Sequence, residues 1–184
     1  MSKVYVFLAD GFEDIEALTM VDMLRRAQIP VSTVSITDTL EVTTSHQVTL
    51  KTDVLFKDCD FSDADVLVLP GGMPGTANLR AFEPLMDLLK AHYAQGKRLA
   101  AICAAPTILS DLGILKGKKA TSYPARREDI ECGEYLTDPV VVDGTITTSR
   151  GMGTSIDFAL CLIAQLAGQE KSEQLAAAIV YARN

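Results

Sequence analysis

The stretch Lys97-Arg98-Leu99-Ala100-Ala101-Ile102-Cys103-Ala104-Ala105-Pro106-Thr107-Ile108-Leu109 changes character at its centre. Leu99 to Ile102 is an apolar run of strand length, whereas the residues after Cys103 suit a helix. Pro106 fits the first helical turn, where its missing N–H would have had no partner, so the helix is expected to begin at about Ala104 or Ala105. A thiol at such a turn faces the first free amides of the helix, whose partial positive charge favours thiolate, and Cys103 is therefore a candidate nucleophile. The same residues also suit a small buried hydrophobe, because free cysteine is among the most buried residue types.

Outward from this stretch the alternation of strand and helix repeats. Residues 4–9 read as a buried strand and 13–27 as a helix, with Ile15, Leu18, Met20, Val21 and Leu24 near helical spacing. Residues 31–36 read as a strand, 40–51 as strand or hairpin, and 58–65 as a polar connector. Residues 66–69 form a short apolar strand that runs into Pro70-Gly71-Gly72-Met73-Pro74-Gly75, and 77–93 carry helical spacing. Further strand, loop and helix signals lie at 120–123, 140–148 and 153–167, and 169–182 reads as a last helix. Strands alternating with crossover-length helices predict a doubly wound α/β domain, a mainly parallel sheet with helices on both faces. In such sheets the ligand crevice lies beyond the carboxyl ends of the strands. Four unusual loops are expected there, beginning at Asp10, Pro70, Cys103 and Ser149, and their convergence favours the nucleophile reading of Cys103.

With 184 residues, 48% of them hydrophobic, the chain is expected to form one domain over 1–184. A net charge of −7 argues against nucleic acid and anionic membrane as partners. The apolar run after Lys3 is interrupted by Asp10, and no stretch is long enough for a membrane helix, so a cytoplasmic location is expected. Cys59, Cys103, Cys132 and Cys161 are widely spaced, which suggests reduced thiols and neither a disulfide framework nor a cysteine metal site. Only His46 and His92 could complete a Cys-His pair.

A cysteine nucleophile needs a proton carrier and donors for a developing oxyanion. Glu13, Asp14 and Glu16 stand at the start of the first helix, where acids are also favoured by the dipole alone. A carboxyl beside the thiol would have a raised pKa and could donate a hydrogen bond to sulfur. Gly71-Gly72 fits either a turn with positive φ or amides open to a substrate oxygen. The loop lacks the Lys-Ser/Thr ending of a phosphate loop, and Asp10-Gly11-Phe12-Glu13 makes no dinucleotide fingerprint.

Four segments in this order, Asp10-Gly11-Phe12-Glu13-Asp14-Ile15-Glu16, Leu69-Pro70-Gly71-Gly72, Ala101-Ile102-Cys103-Ala104-Ala105-Pro106 and Thr148-Ser149-Arg150-Gly151-Met152-Gly153-Thr154, resemble the ThiJ/PfpI superfamily. The likeness is to the branch of the Parkinson-associated deglycase and spans essentially the whole chain. It implies a flavodoxin-like homodimer with the reactive cysteine, Cys103, at a nucleophile elbow. It selects Glu16 as the protonated partner of the sulfur and assigns the oxyanion region to Gly71, Gly72 and the Ala104 amide. Glu13, Tyr123 and Arg150 are implied as further site lining. Tyr123 stands where the deglycase has a histidine, and His46 where it has an arginine near the dimer interface, so a Cys-His-acid triad is not expected. The implied activity is a cofactor-independent, metal-free glyoxalase or deglycase acting on methylglyoxal, glyoxal or their early adducts and releasing lactate or glycolate. The rival is a redox-sensing chaperone using the same cysteine, and a peptidase or amidotransferase-like hydrolase is the weakest reading.

Overall fold

Residues 3–182 are described in a computed structural model, so the outer bounds expected for the domain, 1 and 184, lie outside the described residues. Strand β1 (Val4–Leu8) is followed by α1 (Asp14–Arg26) and β2 (Val31–Ser35). Then come the short strands β3 (Glu41–Thr43), β4 (Thr49–Lys51) and β5 (Val54–Leu55). Next are β6 (Val66–Leu69), α2 (Gly75–Ala81), α3 (Glu83–Ala94), β7 (Arg98–Ile102) and α4 (Pro106–Asp111). The last part holds β8 (Lys119–Ala120), β9 (Glu134–Tyr135), β10 (Val140–Asp143), β11 (Ile146–Ser149), α5 (Ser155–Ala167) and α6 (Gln169–Ala178).

Seven strands form the main sheet in the order β10-β11-β7-β6-β1-β2-β5. Every pairing is parallel except β10 against β11 at one edge, so the expected mainly parallel sheet is present. Its strands are buried on both faces, and the period-two alternation of β1 sends Val4, Val6 and Leu8 into one core and Tyr5 and Phe7 into the other. The first core packs against Met20 and Leu24 of α1 and Phe158 and Leu162 of α5. The second packs against Leu79 of α2, Leu85 and Leu89 of α3 and Ile108 of α4. Each such fully buried side chain contributes about 2 kcal/mol of transfer free energy. The three layers are therefore held independently of the loops that cross the sheet's end.

Residues 77–93 do not form the single helix their spacing suggests. They are divided between α2 and α3 at Phe82, which leaves helical geometry with φ −89° and ψ 89°. Pro84 has no N–H for a continuous helix, and the Phe82 ring stacks edge-on against Phe56 at 5.0 Å, so tertiary contact reinforces the break. The helix after the thiol begins at Pro106 rather than Ala104 or Ala105, because Cys103 holds a left-handed backbone with φ 65°. Of the strand signal at 120–123, only Lys119–Ala120 is strand, paired with β9 in a separate two-stranded ribbon. The final helix stops at Ala178 instead of reaching 182; Val180 has φ 58° and Tyr181 N–H turns back to the Ala176 carbonyl. No helix among the described residues is long and apolar enough to cross a membrane.

Candidate functional site

Strand order reverses direction around β1, with β2 on one side and β6 on the other, and the crevice opens at that point beyond the carboxyl ends. The register brings Leu69 opposite Ala101 and Ser149 opposite Ile102, so the residues just past these ends converge. Backbone bonds tie the loops together. Glu13 N–H donates to Gly71 O at 3.0 Å and Gly75 N–H to Gly11 O at 3.1 Å. Cys103 N–H donates to Ser149 O at 3.0 Å, while its own carbonyl accepts from Tyr123 N–H at 2.7 Å.

These bonds clamp Cys103 on both sides in a conformation that costs a non-glycine residue about 1–3 kcal/mol. The result is a sharp turn that holds the thiol half-buried at the end of β7. Gly71 must be glycine here, since a Cβ would lie 2.6 Å from Cys103 Cβ and 2.7 Å from Glu16 Oε2. Gly72 has φ +93° and directs its amide at the sulfur, as Ala104 does.

Glu13 accepts the Glu16 N–H at 2.8 Å and so caps α1. The cap sets the first turn of α1 so that Glu16, 2% exposed, points inward. Its Oε2 accepts the Gly71 N–H at 2.8 Å, and Oε1 has no partner at hydrogen-bond distance. Burial pushes the Glu16 carboxyl up to about 7; the Cys103 thiol and the Gly71 amide oppose that rise, and the Glu13 charge adds to it. The thiol is pushed up to about 12, first by burial and then by the Glu16 charge and its hydrogen bond, against the pull of the Ala104 and Gly72 amides. The expectation that helix amides alone favour thiolate is thus corrected: the amides face the sulfur, but burial and the neighbouring carboxylate outweigh them. With the carboxyl at about 7 and the thiol at about 12, the pair retains one proton between those values, and its transfer from sulfur to Glu16 makes the sulfur anionic without changing the charge of the pair.

The other expected lining residues are distributed around this pair. Tyr123, 48% exposed, and Arg150 line an open hollow of about 270 Å³ with Pro124, Gly151, Met152, Gly153 and Thr154. Arg150 Nη1 donates to the Thr137 carbonyl at 3.0 Å. Neither histidine reaches the thiol. His46 is exposed and its Nδ1 lies 2.8 Å from Asp14 Oδ2, which raises its pKa. His92 is buried in α3 with Nε2 at 3.1 Å from the Arg98 carbonyl, and burial lowers its pKa. Among the described residues, Glu13, Asp14 and His46 form the group with metal-ligating atoms within 4.8 Å of one another. Glu13 is engaged as a cap and Asp14 with His46, so this group is a hydrogen-bonded corner.

Two participants had a place in the sequence reading, in the loop expected at this edge, but no individual part. Ser149 supplies the carbonyl that holds the Cys103 amide, and Gly151 lies between Tyr123 and Glu16: a Cβ there would stand 3.6 Å from Tyr123 Cδ2 and 4.0 Å from Glu16 Oε1. Both lie within the Ser149-Arg150-Gly151-Met152-Gly153 run, whose glycines were the available signal.

A family model described as the DJ-1/PfpI family matches residues 2–165. Protein DJ-1 homolog B of Arabidopsis thaliana is 38% identical over 96% of the chain, which spans 40% of that relative. Glutathione-independent glyoxalase DJR-1.2 of Caenorhabditis elegans is 32% identical over 95% of the chain and 93% of its own length. Among solved structures, oxidised DJ-1 of Toxoplasma gondii superposes with a TM-score of 0.95 at 38% identity, with 100% of each chain covered.

Proposed function

Since the chain belongs to the DJ-1/PfpI family, we propose that it is a cofactor-independent glyoxalase or deglycase in which Cys103 is the nucleophile and Glu16 the proton carrier. The observation that supports this most is the half-buried Cys103 thiol beside the buried Glu16 carboxyl, with the Gly72 and Ala104 amides on the sulfur. A relative bearing the name glutathione-independent glyoxalase adds support at the level of the family.

With the shared proton on Glu16, the sulfur attacks the aldehyde carbon of methylglyoxal. An S–C bond forms, and the carbonyl π pair becomes an alkoxide beside the Gly72 and Ala104 amides, which then takes the Glu16 proton. The Glu16 carboxylate next removes the proton from the former aldehyde carbon and delivers it to the adjacent carbon, while the hydroxyl proton passes to the former ketone oxygen through the enediol. The hemithioacetal thereby isomerises to a lactoyl thioester with no net change in electrons. Water cleaves the S–C bond, and lactate leaves as the thiol regains its proton. Glyoxal follows the same course to glycolate.

Purified protein is expected to form lactate from methylglyoxal at a rate that Cys103→Ser abolishes and Glu16→Ala lowers at least a hundredfold, typical for loss of a general acid–base. Equal lactate formation by wild type and Cys103→Ser, after correction for spontaneous thiol adducts, overturns the reading.

A second reading uses the same residues for oxidation sensing, favoured by the oxidised state named for the Toxoplasma gondii structure. Peroxide would convert the thiolate to sulfenic and then sulfinic acid, whose oxygens the Gly72 and Ala104 amides and protonated Glu16 could bond. Peptide mass mapping after mild peroxide should find Cys103 oxidised ahead of Cys59, Cys132 and Cys161; indifferent oxidation rules this out. The exposed Ile15 and Leu18 of α1 support a homodimer as the working form.

A further inference from the structure

The hollow beside the Cys103–Glu16 pair has a chemistry of its own. It measures about 270 Å³, and its lining is mostly carbon, from Tyr123, Pro124 and Met152 together with Gly151 and Gly153. Tyr123 and Met152 are large side chains left 48% and 56% exposed. Two contacts place the hollow beside the reacting centre. Tyr123 N–H holds the Cys103 carbonyl at 2.7 Å, and Gly151 stands between the Tyr123 ring and Glu16 Oε1, within 4.0 Å of each when its missing Cβ is placed. Glu16 Oε1 is a buried acceptor with no partner at hydrogen-bond distance, on the side that faces Gly151. An anionic substituent would need a cation, and Arg150 is the one in the lining; its Nη1 donates to the Thr137 carbonyl, which ties the head group to the β9–β10 connection, while its Nε is buried without a partner.

We propose that this hollow is a substituent subsite and that the substrate class is 2-oxoaldehydes bearing an aryl or branched alkyl group, with Tyr123 and Met152 as specificity residues. The inference rests on the glyoxalase reading and narrows it. The reacting aldehyde sits at Cys103, and the group on the far side of the ketone passes Gly151 and packs between Tyr123 and Met152. Gly151 puts no side chain into this path; a Cβ there would rest in van der Waals contact with Tyr123 Cδ2 at 3.6 Å and Glu16 Oε1 at 4.0 Å. Glyoxal has no such group and leaves the hollow empty. Apolar contact of one ring in a partly open hollow is expected to give about ten- to a hundredfold in kcat/KM.

The experiment compares phenylglyoxal with glyoxal as substrates of wild type, Tyr123→Ala, Met152→Ala and Tyr123→Phe. Both positions are half exposed, so the variants are expected to fold, and thermal melts check this. The wild-type ratio of kcat/KM, phenylglyoxal over glyoxal, should be at least ten. It should fall at least fivefold in each alanine variant and be retained in Tyr123→Phe, since the ring and not the hydroxyl makes the contact. A ratio near one in wild type, a ratio unmoved by the alanine variants, or a stronger preference for a carboxylate-bearing 2-oxoaldehyde overturns the proposal. Parallel labelling of Cys103 by N-phenylmaleimide and by maleimide reads the hollow without turnover. If no aldehyde is turned over, the glyoxalase reading fails. The subsite then stands if the phenyl reagent labels Cys103 faster by a margin that Tyr123→Ala removes, and falls if the two reagents are equal.

Discussion

Cys103 and Glu16 titrate as a pair, and that has consequences for pH. A pair with its first proton lost near 7 and its second near 12 carries one proton across the interval between. The fraction with that proton on Glu16 and the charge on sulfur does not vary within the interval. Alkylation of Cys103 by iodoacetamide should therefore rise around pH 7 and level off, whereas an isolated thiol would climb steadily to its own pKa. In Glu16→Gln the plateau should vanish; a plateau that survives there, or a wild type that climbs through pH 9, sinks the shared-proton account. Stability follows the same carboxyl. Because its native pKa is raised from 4.5 to about 7, the folded state binds more protons across that window. The contribution is fully present below pH 4.5 and is lost as pH rises through 7, up to about 3 kcal/mol by the size of the shift. Urea unfolding at pH 5 and pH 8 should show this loss in wild type and its absence in Glu16→Gln.

At the level of elements, α1 and the β6–α2 loop together set the carboxyl's position. Glu13→Ala removes the side chain that accepts the Glu16 N–H and should cost about 1 kcal/mol in denaturant unfolding. It also removes a charge that raises the Glu16 pKa, so the lower limb of the alkylation profile should move below pH 7. Gly71→Ala places a methyl against Cys103 Cβ and Glu16 Oε2, and should destabilise by about 1–3 kcal/mol while lowering alkylation of Cys103. The elbow itself was legible: an apolar run, a cysteine and an early proline are local signals. Its left-handed backbone was not, because the bonds that impose it come from Ser149 and Tyr123, many residues away in sequence. The division of 77–93 into two helices had a local mark in Pro84, but the placement of the break depends on the contact between Phe82 and Phe56.

For the whole molecule, Ile15 and Leu18 lie three residues apart on α1 and are 47% and 41% exposed, an apolar stripe on an otherwise amphipathic helix. Light scattering should find twice the 19.8 kDa chain mass, and Leu18→Glu should return it to one chain. An unchanged mass in that variant places the contact elsewhere. The alternation of buried strands and amphipathic helices was enough to determine a doubly wound sheet, since each element's apolar period is a local property that only a few architectures can satisfy. The same reading determined that four loops would share the sheet's carboxyl edge. Which acid meets the thiol was open among Glu13, Asp14 and Glu16 until the resemblance chose one, and only the fold separates their tasks: Glu13 caps, Asp14 holds His46, and Glu16 is buried against the sulfur. Proton affinity was likewise decided by tertiary structure. Local position beside helix amides favours thiolate, but burial and a carboxylate brought from the other end of the site reverse that balance, and neither can be read from the residues around Cys103.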